Sequence, residues 1–164
     1  MGKYHLDTDT LIEVKNGAYA FEIAPSFWVS LEELLKSKTL CMCRLVYDEL
    51  AAGDDDLAAW VQRFKDLGCI INPDENTQKI FAEIADYVSN KYPPHKASMF
   101  LSGADPWIIA HAKTENSIVV THEVIVTSSS TKVKIPNICD VFNVSYVSLF
   151  QMMKDLKIQI GKSA

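Results

Sequence analysis

The sequence predicts an α/β fold in which a parallel sheet is covered by helices on both faces. Two observations carry this. Short apolar or β-branched runs at Tyr4–Asp7, Thr39–Cys43, Cys69–Asn72 and Ser117–Thr121 read as strands, and amphipathic helical stretches separate them. A third bounds the size: 164 residues with 48% hydrophobic content suit one ordinary domain, over residues 1–164, with a real core.

In chain order, Tyr4–Asp7 runs directly into a helix-like Thr8–Lys15. Ser26 is placed to cap a helix whose Phe27, Trp28, Leu31, Leu34 and Leu35 fall on one face. Leu45–Ala52 reads as a helix stopped at Gly53, and Asp54 as the cap of a further helix that ends near Leu67 before Gly68. Pro73 closes the third strand. From Asn76 to Asn90 the positions Ile80, Phe81, Ile84, Ala85 and Val88 keep helical spacing. Lys91–Ala104 contains Pro93, Pro94 and Gly103 and reads as a loop. Asp105–Glu115 is a helix, with Asp105 as cap and Pro106 in the first turn. Ser128–Ser130 is a polar loop, and Ser148–Leu156 a last amphipathic helix.

No apolar run approaches the ~20 residues of a membrane span, and the N-terminus lacks the apolar centre of a signal peptide, so a cytoplasmic protein is expected. Cys41, Cys43, Cys69 and Cys139 do not have the paired spacing of a zinc site and read as buried thiols of a reducing compartment. The formal net charge of -5 does not advertise nucleic-acid binding. The sum hides an asymmetry: acidic residues dominate as far as Glu123, whereas beyond it Lys132, Lys134, Lys154, Lys157 and Lys162 face only Asp140 and Asp155. Those lysines either touch phosphate or are plain solvated surface.

In an open parallel sheet, ligands bind outside the carboxyl ends of the strands. Asp7 follows the first strand, Glu123 lies two residues beyond Val119-Val120-Thr121, Glu49 sits on the helix after the second strand, and Asp105 opens a helix. Four acids thus come from four elements able to border one mouth. Magnesium prefers hard oxygen ligands and binds through a few carboxylates plus substrate phosphate. Each acid also has a plainer reading: Asp105 as a helix cap, Asp7 and Glu123 as surface residues at strand ends, Glu49 as an exposed helix acid. Asp9 either joins the ion or caps a helix starting at Thr10. Asp54, Asp55 and Asp56 suit a helix start. His122 neighbours Glu123 and is placed to contact substrate, while His5, His95 and His111 show no ligand spacing.

The segments YHLDTDTLIEVKN, RLVYDELAAGDDDLAAWV, GADPWIIAHAKTENSIVVTHE and KIPNICDVFNV resemble, in order and spacing, a PIN-domain branch of small bacterial and archaeal proteins that includes VapC-type toxins. The resemblance implies a three-layer α/β/α sandwich with a central parallel sheet and an endoribonuclease using Mg2+ or Mn2+. It maps the metal-site acids onto Asp7, Glu49, Asp105 and Glu123, with Thr121 and Asp9 in support. It further implies an RNA substrate, a homodimer and, for toxin members, an inhibitory antitoxin protein. Two positions depart from the family: the last acid is usually Asp and here is Glu123, and the position of Asp9 is often Asn or Ser. Two rivals stand beside this reading. One is a PIN-like binding module without activity. The other is a haloacid-dehalogenase-type phosphatase, suggested by Asp7-Thr8-Asp9 but lacking that family's Thr or Val four residues after the first Asp and its later Gly-Asp pair.

Overall fold

A computed structural model describes residues 3–161. Met1, Gly2 and the tail from Lys162 onward lie outside the described residues, so the reading of Lys162 as part of the basic tail is not addressed by it.

Five strands form one parallel sheet: β1 (Tyr4–Leu6), β2 (Leu40–Cys43), β3 (Ile70–Ile71), β4 (Ile118–Val120) and β5 (Ser145–Val147), in the order β3-β2-β1-β4-β5. Tyr4 pairs with Leu40 on one side and Ile118 on the other, and Leu6 pairs with Val120. Every residue of β1 and β2 is buried, as expected of strands covered on both faces. The nine helices among the described residues are α1 (Thr8–Asn16), α2 (Pro25–Lys36), α3 (Arg44–Ala51), α4 (Asp56–Gln62), α5 (Glu75–Lys91), α6 (Pro94–Ser102), α7 (Asp105–Glu115), α8 (Ile135–Phe142) and α9 (Leu149–Asp155). The result is the three-layer α/β/α, PIN-like sandwich that the sequence predicts. Helix α7 lies on β1, β2 and β4 with α5 against it, and α2 packs on β2. The strand order runs outward in both directions from β1 and β4, so the crevice beyond the ends of these two strands is where an α/β sheet receives a ligand.

Several boundaries differ from the sequence reading. The stretch 91–104 is not a loop: Pro94 starts α6, because a proline in the first turn lacks only an N–H that would have no helical partner. Helix α8 and edge strand β5 escape the pattern, α8 because Pro136 sits in its first turn and β5 because three residues are too few to show a period. Caps also shift. Asp7, not Asp9, caps α1; Asp55, not Asp54, caps α4, accepting from the Ala58 N–H at 2.9 Å; Ala24 rather than Ser26 precedes α2. Ala104 occupies the cap position of α7, so Asp105 lies in the first turn and makes no capping hydrogen bond. All four cysteines are buried free thiols. Burial pushes Cys41 and Cys43 up to about 11 and Cys139 to about 12, which keeps them protonated. No helix of the described residues is long and apolar enough to cross a membrane.

Helix α7 ends at Asn116, whose φ of 51° and ψ of 48° turn the chain back into β4. A β-branched side chain is strained there, whereas glycine is not. Asn116→Val is expected to cost about 1–2 kcal/mol and Asn116→Gly to stay near wild type, read by urea unfolding. Equal midpoints for the two variants would show that this turn does not set the helix–strand junction.

Candidate functional site

The chain leaves β1 at Asp7 and β4 at Thr121, side by side. The Asp7 N–H donates to the Val120 carbonyl at 3.0 Å, which extends the sheet by one rung and fixes both residues at its mouth. The Thr121 hydroxyl donates to Asp7 Oδ2 at 3.0 Å and accepts from the Glu123 N–H at 3.1 Å. The other Asp7 oxygen accepts from the Asp9 N–H at 3.4 Å as the α1 cap. Asp7 is only 2% exposed and Thr121 3%.

Four further acids surround this point. Asp105 is half-buried at the start of α7. Burial pushes its carboxyl up to about 7, helped by the negative charges of Asp7, Glu123, Asp9 and Glu49. Burial likewise pushes Asp7 up to about 6; the Thr121 hydrogen bond opposes this, and Asp9 and Glu123 add to it. The fold therefore brings the four sequence-predicted acids, and Asp9, into one electrostatic neighbourhood. Asp7, Asp9 and Glu123 line a cleft of about 390 Å³ together with Glu13, His122 and Lys134. Asp105 opens onto an adjoining cleft of about 400 Å³, and Lys134 borders both.

The carboxylates are not drawn around a common point. Among the described residues no group of three or more His, Cys, Asp or Glu side chains is gathered closely enough to hold a metal ion. Two of the acids are turned to protein partners. Glu49 Oε2 accepts from the Thr8 hydroxyl at 2.8 Å. Glu123 Oε2 accepts from the Ile135 N–H at 2.6 Å, at the start of α8, and its other oxygen lies 3.6 Å from Lys134 Nζ. Like charges without a cation between them gain by taking such partners. Asp7 and Asp105 remain: among the described residues neither forms an ion pair with a lysine or arginine. A buried and a half-buried carboxylate, both with raised pKa values and neither ion-paired to a lysine or arginine among the described residues, fit a divalent cation on chemistry, with Thr121 holding Asp7 in place.

The sequence reading passed over Lys96 and the pairing of Glu13 with His122, whose Nδ1 lies 2.9 Å from Glu13 Oε2. Lys96, Lys132 and Lys134 come from segments far apart in the chain and meet, with Phe100 and Met99, on the cleft that Asp105 lines. The basic balance of the C-terminal part was the available signal for two of the three lysines.

A family model described as a domain of unknown function, DUF4411, matches residues 4–160. No curated protein matches. Among solved structures, the chain resembles one in the crystal structure of VapBC2 from Rickettsia felis bound to a DNA fragment from their promoter, at 20% identity and a TM-score of 0.54, covering 88% of this chain and 97% of that one. It also resembles one in the structure of FitAB bound to an IR36 DNA fragment, at 18% identity and a TM-score of 0.53, covering 88% and 94%. At these identities the likeness is one of fold.

A carboxyl with a raised folded-state pKa contributes stability that is fully present below its unfolded value and is lost as pH rises through the folded value. With EDTA present, stability is therefore expected to fall as pH rises from about 4 to about 7, between the ordinary value of 3.8 and the raised values near 6 and 7. Asp7→Asn and Asp105→Asn each remove a charge that burial disfavours and are expected to gain roughly 1–3 kcal/mol at pH 8, with Asp105, the more exposed, toward the lower end. Thermal melts check this; variants that melt below wild type at pH 8 would mean the acids are not electrostatically strained.

Proposed function

The chain belongs to the DUF4411 family, and we propose that it is a metal-dependent endoribonuclease whose ion is held by Asp7 and Asp105, with Glu49 and Glu123 completing the set and Asp9 and Thr121 in support. One observation carries the reading: a buried and a half-buried carboxylate, neither ion-paired to a lysine or arginine among the described residues, sit at the mouth between β1 and β4, where the strand order directs a ligand. When bound there, a Mg2+ or Mn2+ ion supplies Lewis acidity toward a phosphoryl oxygen and makes a water easier to deprotonate.

The chain's own groups do the rest. Thr121 fixes the rotamer of Asp7 and ties it to the backbone of Glu123, so these two acids move as a unit. Thr8 holds Glu49 at the rim. Glu123 is longer than the aspartate usual in the PIN-domain family by one methylene, and this lets it reach the Ile135 N–H. To face the centre it has to give up that bond and Lys134. Lys96, Lys132 and Lys134 offer positive charge beside Asp105, so that an RNA backbone is drawn to a site that would otherwise repel it. The likeness to chains of VapBC2 and FitAB supports a protein partner of the antitoxin kind, and the family resemblance a homodimer.

A second reading, a binding module without activity, is favoured by the engagement of Glu49 and Glu123 with protein partners. Cleavage assays separate the two. With Mg2+, wild type is expected to cut single-stranded RNA to products with 5′-phosphate and 3′-hydroxyl ends, and EDTA to stop it. Asp7→Asn and Asp105→Asn are each expected to lose activity by on the order of a hundredfold or more while melting no lower than wild type. Activity that survives EDTA or both substitutions would reject the proposal, and magnesium binding without cleavage of any RNA would favour the module.

For the lysines, Lys96→Gln and Lys132→Gln are each expected to lower the slope of log affinity against log salt by about 1. The readout is RNA binding by the Asp105→Asn protein at several salt concentrations. Slopes equal to that of the parent would remove these lysines from the substrate path.

A further inference from the structure

A separate cavity of about 190 Å³ opens beyond the ends of β2 and β3, lined by residues distinct from those of the lysine-lined cleft. Its walls are apolar: Leu45, Pro73 and the indole of Trp107. The volume is below the ~300 Å³ at which sites for whole small molecules begin, so it has room for a single ring system. His111 also lines it, is 1% exposed, and carries a buried Nε2 with no hydrogen-bond partner. Burial and the neighbouring His5 pull His111 down to about 4, so its ring is neutral at physiological pH. At the edge Arg44 is paired to Asp48, which also lines the cavity, with Nε 3.2 Å from Oδ1, and the Asn72 amide offers a donor and an acceptor. One face of Trp107 is taken by Phe81, with ring centroids 4.0 Å apart, which holds the indole rigid.

The cavity is tied to the acid mouth through two helices. Trp107 is two residues beyond Asp105 on α7, and Arg44 lies on α3, the helix of Glu49. Cys43, another lining residue, feels the negative charge of Glu49. A ring with apolar faces and a mixed donor and acceptor edge, attached to a backbone that passes the acids, is an unstacked nucleobase.

We propose that this cavity is a nucleobase subsite, in which one unpaired base of a single-stranded RNA packs against Trp107 and hydrogen-bonds to the exposed Asn72 amide at the rim. The choice of a base, over any other small ring, rests on the nuclease reading. The subsite would make cleavage depend on base identity next to the cut.

The test uses the full chain in EDTA, so that no ion is needed, with adenosine, guanosine, cytidine and uridine as probes. Trp28 and Trp60 are buried, so Trp107 is the tryptophan positioned to report by fluorescence or by its indole NMR signal. At least one nucleoside is expected to saturate the signal. Leu45→Trp, which fills the cavity from a partly exposed position, and Asn72→Leu, which removes the rim amide, are each expected to weaken that binding about tenfold or more. Asp7→Asn is expected to leave it unchanged. No saturable binding by any of the four, or wild-type binding in both cavity variants, overturns the subsite. The nuclease reading fails separately: nucleoside binding without metal-dependent cleavage leaves the subsite standing, and cleavage without nucleoside binding removes the subsite alone.

Discussion

The structure turns on one electrostatic constraint: Asp7 is buried and Asp105 half-buried at the same end of the sheet, and among the described residues neither is ion-paired to a lysine or arginine. Burying two carboxylates in this way is unfavourable unless they are protonated or share a cation. The surrounding architecture keeps them there. Asp7 is locked by the β1–β4 pairing, the α1 cap and the Thr121 hydroxyl, and Asp105 by the start of a helix that packs across three strands. Strain that a fold maintains at a crevice points to a function for that crevice. It also explains the outward turn of Glu49 and Glu123, which satisfy themselves on Thr8 and on the start of α8.

Much of this was legible in the sequence, for physical reasons. The apolar strands β1, β2 and β4 and the amphipathic helices α2 and α5 follow from burial, which leaves a direct imprint on residue type. An acid after an apolar strand is readable for the same reason, so Asp7 and Glu123 stand out. What the sequence hides is what depends on a single rotamer or on remote neighbours. Asp105 looks like a cap but lies one residue inside the helix, leaving its carboxylate free for the mouth. Prolines at 94 and 136 look like breaks but sit in first helical turns, which concealed α6 and α8. Glu123 offers no hint that it will reach the Ile135 N–H, because that bond spans a twelve-residue excursion.

Charge is partitioned with similar economy. A negative centre at the strand ends is bordered by Lys96, Lys132 and Lys134, and helix α7 also contributes Trp107 and His111 to a separate, largely apolar cavity. A polyanion meets the lysines first, and only a backbone accompanied by a cation can settle on the acids. The overall charge of -5 therefore says little about the ligand, since the local arrangement decides what can approach.

The chemistry of this mouth depends on its capturing a hard cation. Anomalous diffraction from a crystal soaked in Mn2+ tests it most directly. The predicted result is one strong peak bonded to carboxylate oxygens of both Asp7 and Asp105, lost in the Asp105→Asn crystal. A saturated soak with no peak between these two residues, or with manganese only on the surface acids Asp54 to Asp56, would contradict it.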